Sequence, residues 1–481
     1  MADVLASQDA ALVADAARYF TSWLGFRQRY DRIPGVQAAM LHDGAIVASC
    51  AHGHADVERS VALTDRHLFR IASHSKTFTA TAVMQLVEAG RLRLDDTLGH
   101  WLAPLAGSPI AAVTVREVLA HGGGLVRDGH DGGFWQLTSR FPDLDELWRI
   151  AGDDPAVLVR NERFKYSNVG YALLGQVIER AAGQSYADYV REHIIGPLGL
   201  ADTGPELDPA RADEFVTGYS ALALGDRRLP IEAADTRAMA SATGFYSTAT
   251  DVVNYAAAHF LGDERLVSDD SKRVMQHPHW VVEGAGATSY GLGFAIADIG
   301  SRRVLGHGGG FPGQITRTFF DPAAKVAVCV LTNSIDGPAW MLAAAGFTLI
   351  DLARRGADAA APATPGIDLS RFCGRFANVW GAHDVVQLGG RLFGLNPAQP
   401  DPTTDAVELE VVDDATLRIA RASGYGAHGE QMTIERASDG SICSISTSSG
   451  LLYPYDALAA TIGGRTGVSL AQPLRPEAAG S

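Results

Sequence analysis

Apolar and polar residues recur with two different periods along this chain, and the change of period divides it. Val36–Ala48 (VQAAMLHDGAIVA) reads as two short strands around a His42-Asp43-Gly44 turn. The apolar run Phe78–Val87 then predicts a helix that stops at Gly90. Thr114–Ala120 reads as a short helix running into His121-Gly122-Gly123-Gly124. Val169–Ala182 is an amphipathic helix ended by Gly183, and Asp251–Phe260 is another, opened by the cap signal Ser247-Thr248-Ala249-Thr250. Strand-like runs follow at Gly291–Ile296, Arg302–Leu305, Ile315–Phe320 and Val326–Thr332, the last two joined by an Asp321-Pro322-Ala323-Ala324 turn. Trp340–Leu352 closes the series as a helix. An early hairpin, central helices and a late strand cluster predict one discontinuous α/β sheet with an all-helical insertion.

Arg355–Pro365 (RGADAAAPATP) has no apolar periodicity and reads as a linker. Beyond it the period shortens. Val385–Leu388, Arg391–Gly394, Val407–Val412, Thr416–Ile419, Gln431–Ile434 and Ile442–Ser446 are short alternating runs separated by Gly, Asp and Asn, which predicts a small antiparallel barrel. The expected division is therefore a domain at 1–354, a linker at 355–366, a barrel at 367–463 and a loose tail at 464–481.

Composition narrows the partners. The 481 residues carry a formal net charge of −15, which disfavours nucleic acid or anionic membrane as a main partner. Cys50, Cys329, Cys373 and Cys443 are widely spread without a C-x-x-C pair and read as reduced, mostly buried thiols. Met1–Trp23 has acidic residues among alanines and no basic start before an apolar stretch, so it reads as an amphipathic helix. A cytoplasmic protein without a membrane span is expected, and self-association stays open.

Ser73-His74-Ser75-Lys76 carries the strongest chemical signal. It sets a hydroxyl and an amine three residues apart on one face, at the start of the predicted helix. Only four of the 40 basic residues are lysine, so a lysine at the mouth of an apolar helix is an unusual choice. Arginine could not act there as a base. A helix start with Lys on its solvent face would produce the same spacing. Tyr166-Ser167-Asn168, before the helix Val169–Ala182, offers a phenol for proton relay and an amide for substrate and Lys, or equally a helix cap. His307-Gly308-Gly309-Gly310 lies between two strands and offers backbone N–H groups to an oxyanion, or is a plain flexible loop. Gly308-x-Gly310-x-x-Gly313 is followed by a strand, so it is not a dinucleotide fingerprint. No Gly-x-Ser-x-Gly elbow and no His-Glu-x-x-His occurs, and no metal or cofactor is called for.

In this order the three segments resemble the serine β-lactamase/penicillin-recognising superfamily, and specifically its class C β-lactamase-related branch. The connecting text resembles it too: Leu68–Ala80, Gly90–Thr97, Tyr166–Glu179, Gly196–Thr203, Gly244–Ala249, Tyr290–Phe294 and Gly306–Gly313, over about residues 15–352. The resemblance implies a β-lactamase-like fold, an antiparallel sheet flanked by helices plus an all-helical subdomain, followed by a lipocalin-like barrel. It implies Ser73 as acylated nucleophile, Lys76 as activator, Tyr166 as proton relay and His307 as partner on the edge strand. Asn168, Gly309 and Gly310 would bind substrate, with the N–H groups of Ser73 and Gly310 forming the oxyanion hole.

Two departures shift the expected substrate. The family's Lys-Thr-Gly is absent, and His307-Gly308-Gly309 stands in its place, giving weaker carboxylate recognition. His121-Gly122-Gly123-Gly124 replaces the usual His-Thr-Ser-Gly. The expectation is a serine hydrolase of small amides, peptides (including those of D-amino acids) or esters, similar to D-aminopeptidases and family VIII-type esterases. The alternatives are an acyltransferase of the same fold, a weak β-lactamase and a non-catalytic binding protein.

Overall fold

A computed structural model describes residues 2–153, 155–284, 289–358, 367–424, 426–458 and 460. The chain forms two compact units, one of Phe20–Phe347 and one of Met1–Tyr19 with Thr348–Ser481. The helix Ala339–Asp358 runs past the expected domain boundary at 354 into the expected linker, whose remaining residues 359–366 lie outside the described residues. The expected tail at 464–481 lies outside them as well.

The larger unit is built on β1 (Gly35–His42), β2 (Ala45–Asp56), β3 (Val61–Ala62), β4 (Phe69–Arg70), β5 (Gly218–Tyr219), β6 (Pro230–Ile231), β7 (Tyr246–Ser247), β8 (Trp280–Val281), β9 (Ser289–Tyr290), β10 (Ala295–Ile299), β11 (Arg302–Phe311), β12 (Gln314–Asp321) and β13 (Val326–Thr332). Nine of these make one antiparallel sheet in the order β3-β2-β1-β13-β12-β11-β10-β9-β8. The first hairpin therefore closes onto the last strands, as the discontinuous pattern required. Its turn places Asp43 at φ 44° and Gly44 at φ 84°, the left-handed pair that tight hairpins need. At the other hairpin, Asp321 Oδ1 accepts the N–H groups of Ala323 and Ala324, which fixes the predicted turn. Both hairpins are expected from apolar runs on either side of these turn residues.

The central helix Ser75–Glu88 is buried along nearly its whole length, including Lys76, Thr77, Thr79 and Thr81. Asn168–Ala182 packs beside it, begun by Ser167, whose Oγ accepts the Gly170 N–H, and ended by Gly183 in the left-handed conformation. His307-Gly308-Gly309-Gly310, which the sequence left as strand edge or loop, lies inside β11 and pairs with β12 from Leu305 to Phe311. On its other side β11 pairs with β10 only from Arg302 to Gly306, so the glycine stretch has one open edge.

The smaller unit holds a closed barrel of eight antiparallel strands, β14 (Gly374–Asn378), β15 (Gly381–Leu388), β16 (Arg391–Leu395), β17 (Val407–Asp413), β18 (Thr416–Arg421), β19 (Gln431–Arg436), β20 (Ile442–Thr447) and β21 (Gly450–Pro454). The alternation had marked six of them. Within this unit the buried Asp384 accepts both guanidinium donors of Arg375 and the hydroxyl of Tyr19. None of the four cysteines is in a disulfide, but only Cys329 is buried; Cys50 and Cys373 are half-buried and Cys443 is exposed, so the expectation of mostly buried thiols does not hold.

Arg70 is a fully buried cation outside the candidate site. Its guanidinium donates to Glu206 at 2.8 Å and to the Ala234 carbonyl at 3.0 Å, and lies 4.5 Å over the Phe311 ring. Burial raises the Glu206 pKa, and Arg70 opposes the rise. Arg70→Met is expected to cost about 3–5 kcal/mol in denaturant unfolding at neutral pH, because it leaves a largely buried carboxylate unpaired. The loss should shrink as Glu206 takes up a proton in acid; a pH-independent loss would point to packing alone.

Candidate active site

Ser73 sits in a 3-10 turn, Ala72–His74, that feeds straight into the helix Ser75–Glu88. Its hydroxyl is not spent on capping: neither helix has a side-chain cap, and Ser75 Oγ instead donates to the Ala72 carbonyl at 2.6 Å. Ala72 holds φ 46°, a strained conformation for a residue with a side chain. The helix-cap reading of Tyr166-Ser167-Asn168 is true of Ser167 and leaves its two neighbours free for chemistry.

Those neighbours converge on Ser73. Tyr166 donates its O–H to Ser73 Oγ at 2.9 Å, and Lys76 Nζ lies 3.2 Å from the same oxygen. Lys76 Nζ also donates to Asn168 Oδ1 at 2.7 Å and to the Ala242 carbonyl at 2.8 Å. Asn168 Nδ2 donates to Asp128 Oδ1 at 2.6 Å, and a carboxylate that only accepts fixes which way the amide points. Two of the three Lys76 contacts therefore have no hydrogen to give. Once Lys76 is neutral, its two N–H bonds belong to Asn168 and Ala242, and its lone pair is left facing the Ser73 hydroxyl.

Burial favours that neutral form. Lys76 is fully enclosed and its pKa lies well below the ordinary 10.5, chiefly from desolvation; Asp128 opposes the shift and Arg127 adds to it. The rings of Tyr166 and Tyr171 stand 4.7 and 5.6 Å from the amine. Burial also pushes the Tyr166 phenol well above its ordinary value of 10, so it keeps its proton. The arrangement joins a base, a hydroxyl and a proton donor in one line.

His307, the expected partner on the edge strand, lies in β11 with both ring nitrogens engaged. Its Nδ1 donates to the Gly308 carbonyl at 2.7 Å, and its Nε2 stands 3.1 Å from the Tyr290 hydroxyl. A carbonyl can only accept, so the ring proton is on Nδ1 and Tyr290 donates to Nε2. Desolvation, then the nearby Lys76, hold its pKa well below 6.5, so the ring is neutral. Gly309 does not line the pocket around Ser73; it permits contact, since a Cβ there would come within 2.1 Å of the Ile71 carbonyl. Gly310 lines that pocket with Ser73, Tyr166 and Asn168.

Four further residues belong to this site. Asp128 orients Asn168, Arg127 and Trp135 line the pocket, and Tyr290 holds His307. Tyr290 stands in Tyr290–Phe294, a segment with a visible signal; Arg127, Asp128 and Trp135 lie in an irregular stretch with none. His121 is buried against the rings of Phe164, Tyr166, Tyr171 and Tyr290 and accepts the Ser167 N–H at Nδ1, so it packs the wall behind Tyr166. Among the described residues no helix is long and apolar enough to cross a membrane.

A family model described as Beta-lactamase matches residues 25–345. Penicillin-binding protein 4* of Bacillus subtilis (strain 168) is 30% identical over 287 residues, which cover 57% of this chain and 62% of that protein. The chain thus matches less than two thirds of that relative's length. The octameric penicillin-binding protein homologue from Pyrococcus abyssi has a TM-score of 0.63 at 23% identity, over 90% of this chain and 99% of that one. The D-amino acid amidase from Ochrobactrum anthropi SV3, in its complex with D-phenylalanine, has a TM-score of 0.60 at 25% identity, over 70% of this chain and 97% of that one. With the family model covering two thirds of its length, and with this fold around Ser73, the chain belongs to the β-lactamase family, within the serine β-lactamase/penicillin-binding protein superfamily.

Proposed function

We propose that the protein is a serine hydrolase that cleaves amides, peptides or esters through an acyl-enzyme on Ser73. The observation that carries this is the position of Ser73 Oγ between Lys76 Nζ and the Tyr166 hydroxyl, with the other Lys76 contacts unable to donate. Neutral Lys76 takes the Ser73 proton as Oγ bonds to the substrate carbonyl carbon. The N–H groups of Ser73 and Gly310 receive the oxyanion. When the carbon–leaving-group bond breaks, Tyr166 gives its proton to the departing nitrogen or oxygen and recovers one from Lys76. Water then attacks the ester carbon and gives its proton to Lys76 or Tyr166. The same groups return a proton to Ser73 Oγ as its bond to that carbon breaks, and the free acid leaves.

His307 is neutral and held by Tyr290, so it offers this scheme no cation for a substrate carboxylate. That favours amides and esters over β-lactams. The amidase of similar fold holds D-phenylalanine, which supports D-aminoacyl compounds as substrates here.

Ser73→Ala should lower turnover of p-nitrophenyl acetate by at least about 10³-fold and abolish the fluorophosphonate mass adduct. Labelling that survives the substitution would end the nucleophile assignment. Lys76→Arg should be nearly as damaging, since arginine cannot be neutral.

The pH dependence of kcat/KM has a definite sign. Activity needs neutral Lys76, so it should rise through the lowered lysine pKa and level off well before pH 10.5. It should not fall until above the ordinary tyrosine value of 10, because Tyr166 is shifted upward. A profile still climbing at pH 10 would mean an ordinary lysine.

Across a panel of D- and L-aminoacyl amides, p-nitrophenyl esters and nitrocefin, D-amides and esters should be hydrolysed at least about tenfold faster than nitrocefin. Nitrocefin as the best substrate would reverse the reading of His307.

A further inference from the structure

We propose that the acyl half of the natural substrate is a large apolar group without negative charge, seated in a cleft that opens from the catalytic pocket past Gly310. This rests on Ser73 being the nucleophile and names the substrate class for that same site. The pocket around Ser73 measures about 310 Å³, and Trp135 and Gly310 form one of its walls. The same two residues line a second cleft of about 750 Å³, so the two spaces adjoin at Trp135 and Gly310. Tyr166, the proton donor to the leaving group, lines the first space and not the second. A group that passes the oxyanion donor at Gly310, away from Tyr166, is attached to the carbonyl carbon and stays on the acyl-enzyme.

The walls of the cleft state what that group is. Leu224, Ile231, Pro312 and Ile335 face it together with Trp135. Leu224 is 68% exposed and Ile335 40% exposed, so apolar surface stands open to water on the flanks of a concavity. Such surface marks a ligand site more often than a neutral stretch of exterior. Its volume lies within the roughly 300–1,000 Å³ range of sites for drug-sized ligands. An acetyl group or a single small aminoacyl group is held by the inner pocket and leaves this space to water. Glu232 is the one charged residue among those lining the cleft, and no Lys or Arg is among them to receive an anionic acyl chain. The fitting class is an amide or ester of a medium-chain or arylalkanoyl acid, or of a peptide with bulky apolar residues beside the scissile carbonyl.

Three p-nitrophenyl esters test this on the full chain: acetate, octanoate and the ester of N-acetyl-Leu-D-Phe. We expect kcat/KM for octanoate, for the peptidyl ester or for both to exceed that for acetate by at least about tenfold, since each methylene in an apolar pocket adds severalfold. Whichever long ester leads distinguishes a fatty from a peptidyl source. Leu224→Asp and Ile231→Trp should each reduce the long-to-acetate ratio about tenfold; a variant that folds poorly lowers all rates together and leaves the ratio alone. Acetate turnover equal to or above both long esters would overturn the cleft assignment while sparing Ser73. A ratio untouched by both substitutions would overturn it too. Absence of any Ser73-dependent turnover would instead fail the nucleophile reading, and this inference with it.

Discussion

The buried amine of Lys76 is the constraint around which the larger unit is arranged. An ammonium enclosed without a paired carboxylate is costly, and that cost is what lowers its pKa. The protein meets the demand with three oxygens, on Ser73, Asn168 and Ala242, drawn from three separate elements. Asp128 is held one residue further out, behind Asn168, where it orients the amide but does not touch the amine. A carboxylate directly on Lys76 would stabilise the charged form and remove the base. Placing it one step away keeps the geometry and spares the chemistry.

The second requirement is close approach of β11 to the turn that carries Ser73. Gly309 lies against the Ile71 carbonyl with no room for a Cβ, and His74 reaches across to Thr318 on β12 at 2.9 Å. Burial lowers the His74 pKa to about 4, so this strut is uncharged at neutral pH. The same approach brings Gly310 to the pocket and leaves His307 packed with both ring nitrogens engaged. One glycine is thus a matter of packing and its neighbour a matter of pocket shape, although the sequence presents them as one run.

Much of the fold was legible because its signals are local. The Asp43-Gly44 turn, the Asp321 turn, the Ser167 start and the Gly183 stop each act through the residue's own backbone or side chain. The barrel's alternation marked six of eight strands; Gly374–Asn378 (GRFAN) and Gly450–Pro454 (GLLYP) set apolar residues side by side and do not alternate cleanly. The catalytic spacing was visible for the same reason, since residues three apart on a helix share a face. Asp128, Arg127 and Trp135 sit in a stretch without regular period. Nothing in their neighbours' sequence says that this loop folds over the start of the helix Asn168–Ala182.

By itself the sequence determined which residues can meet within one short stretch of chain: Ser73 with Lys76, Tyr166 with Asn168, and the glycines of β11. It also determined the order of elements, and with it the discontinuous sheet. Only the tertiary structure decided the electrostatics. That Lys76 is stripped of water, that Asn168 presents its oxygen and not its nitrogen, and that His307 is neutral and held by Tyr290 all depend on groups far apart in the chain. Desolvation and hydrogen-bond direction are properties of an assembled environment, and no spacing along a chain contains them.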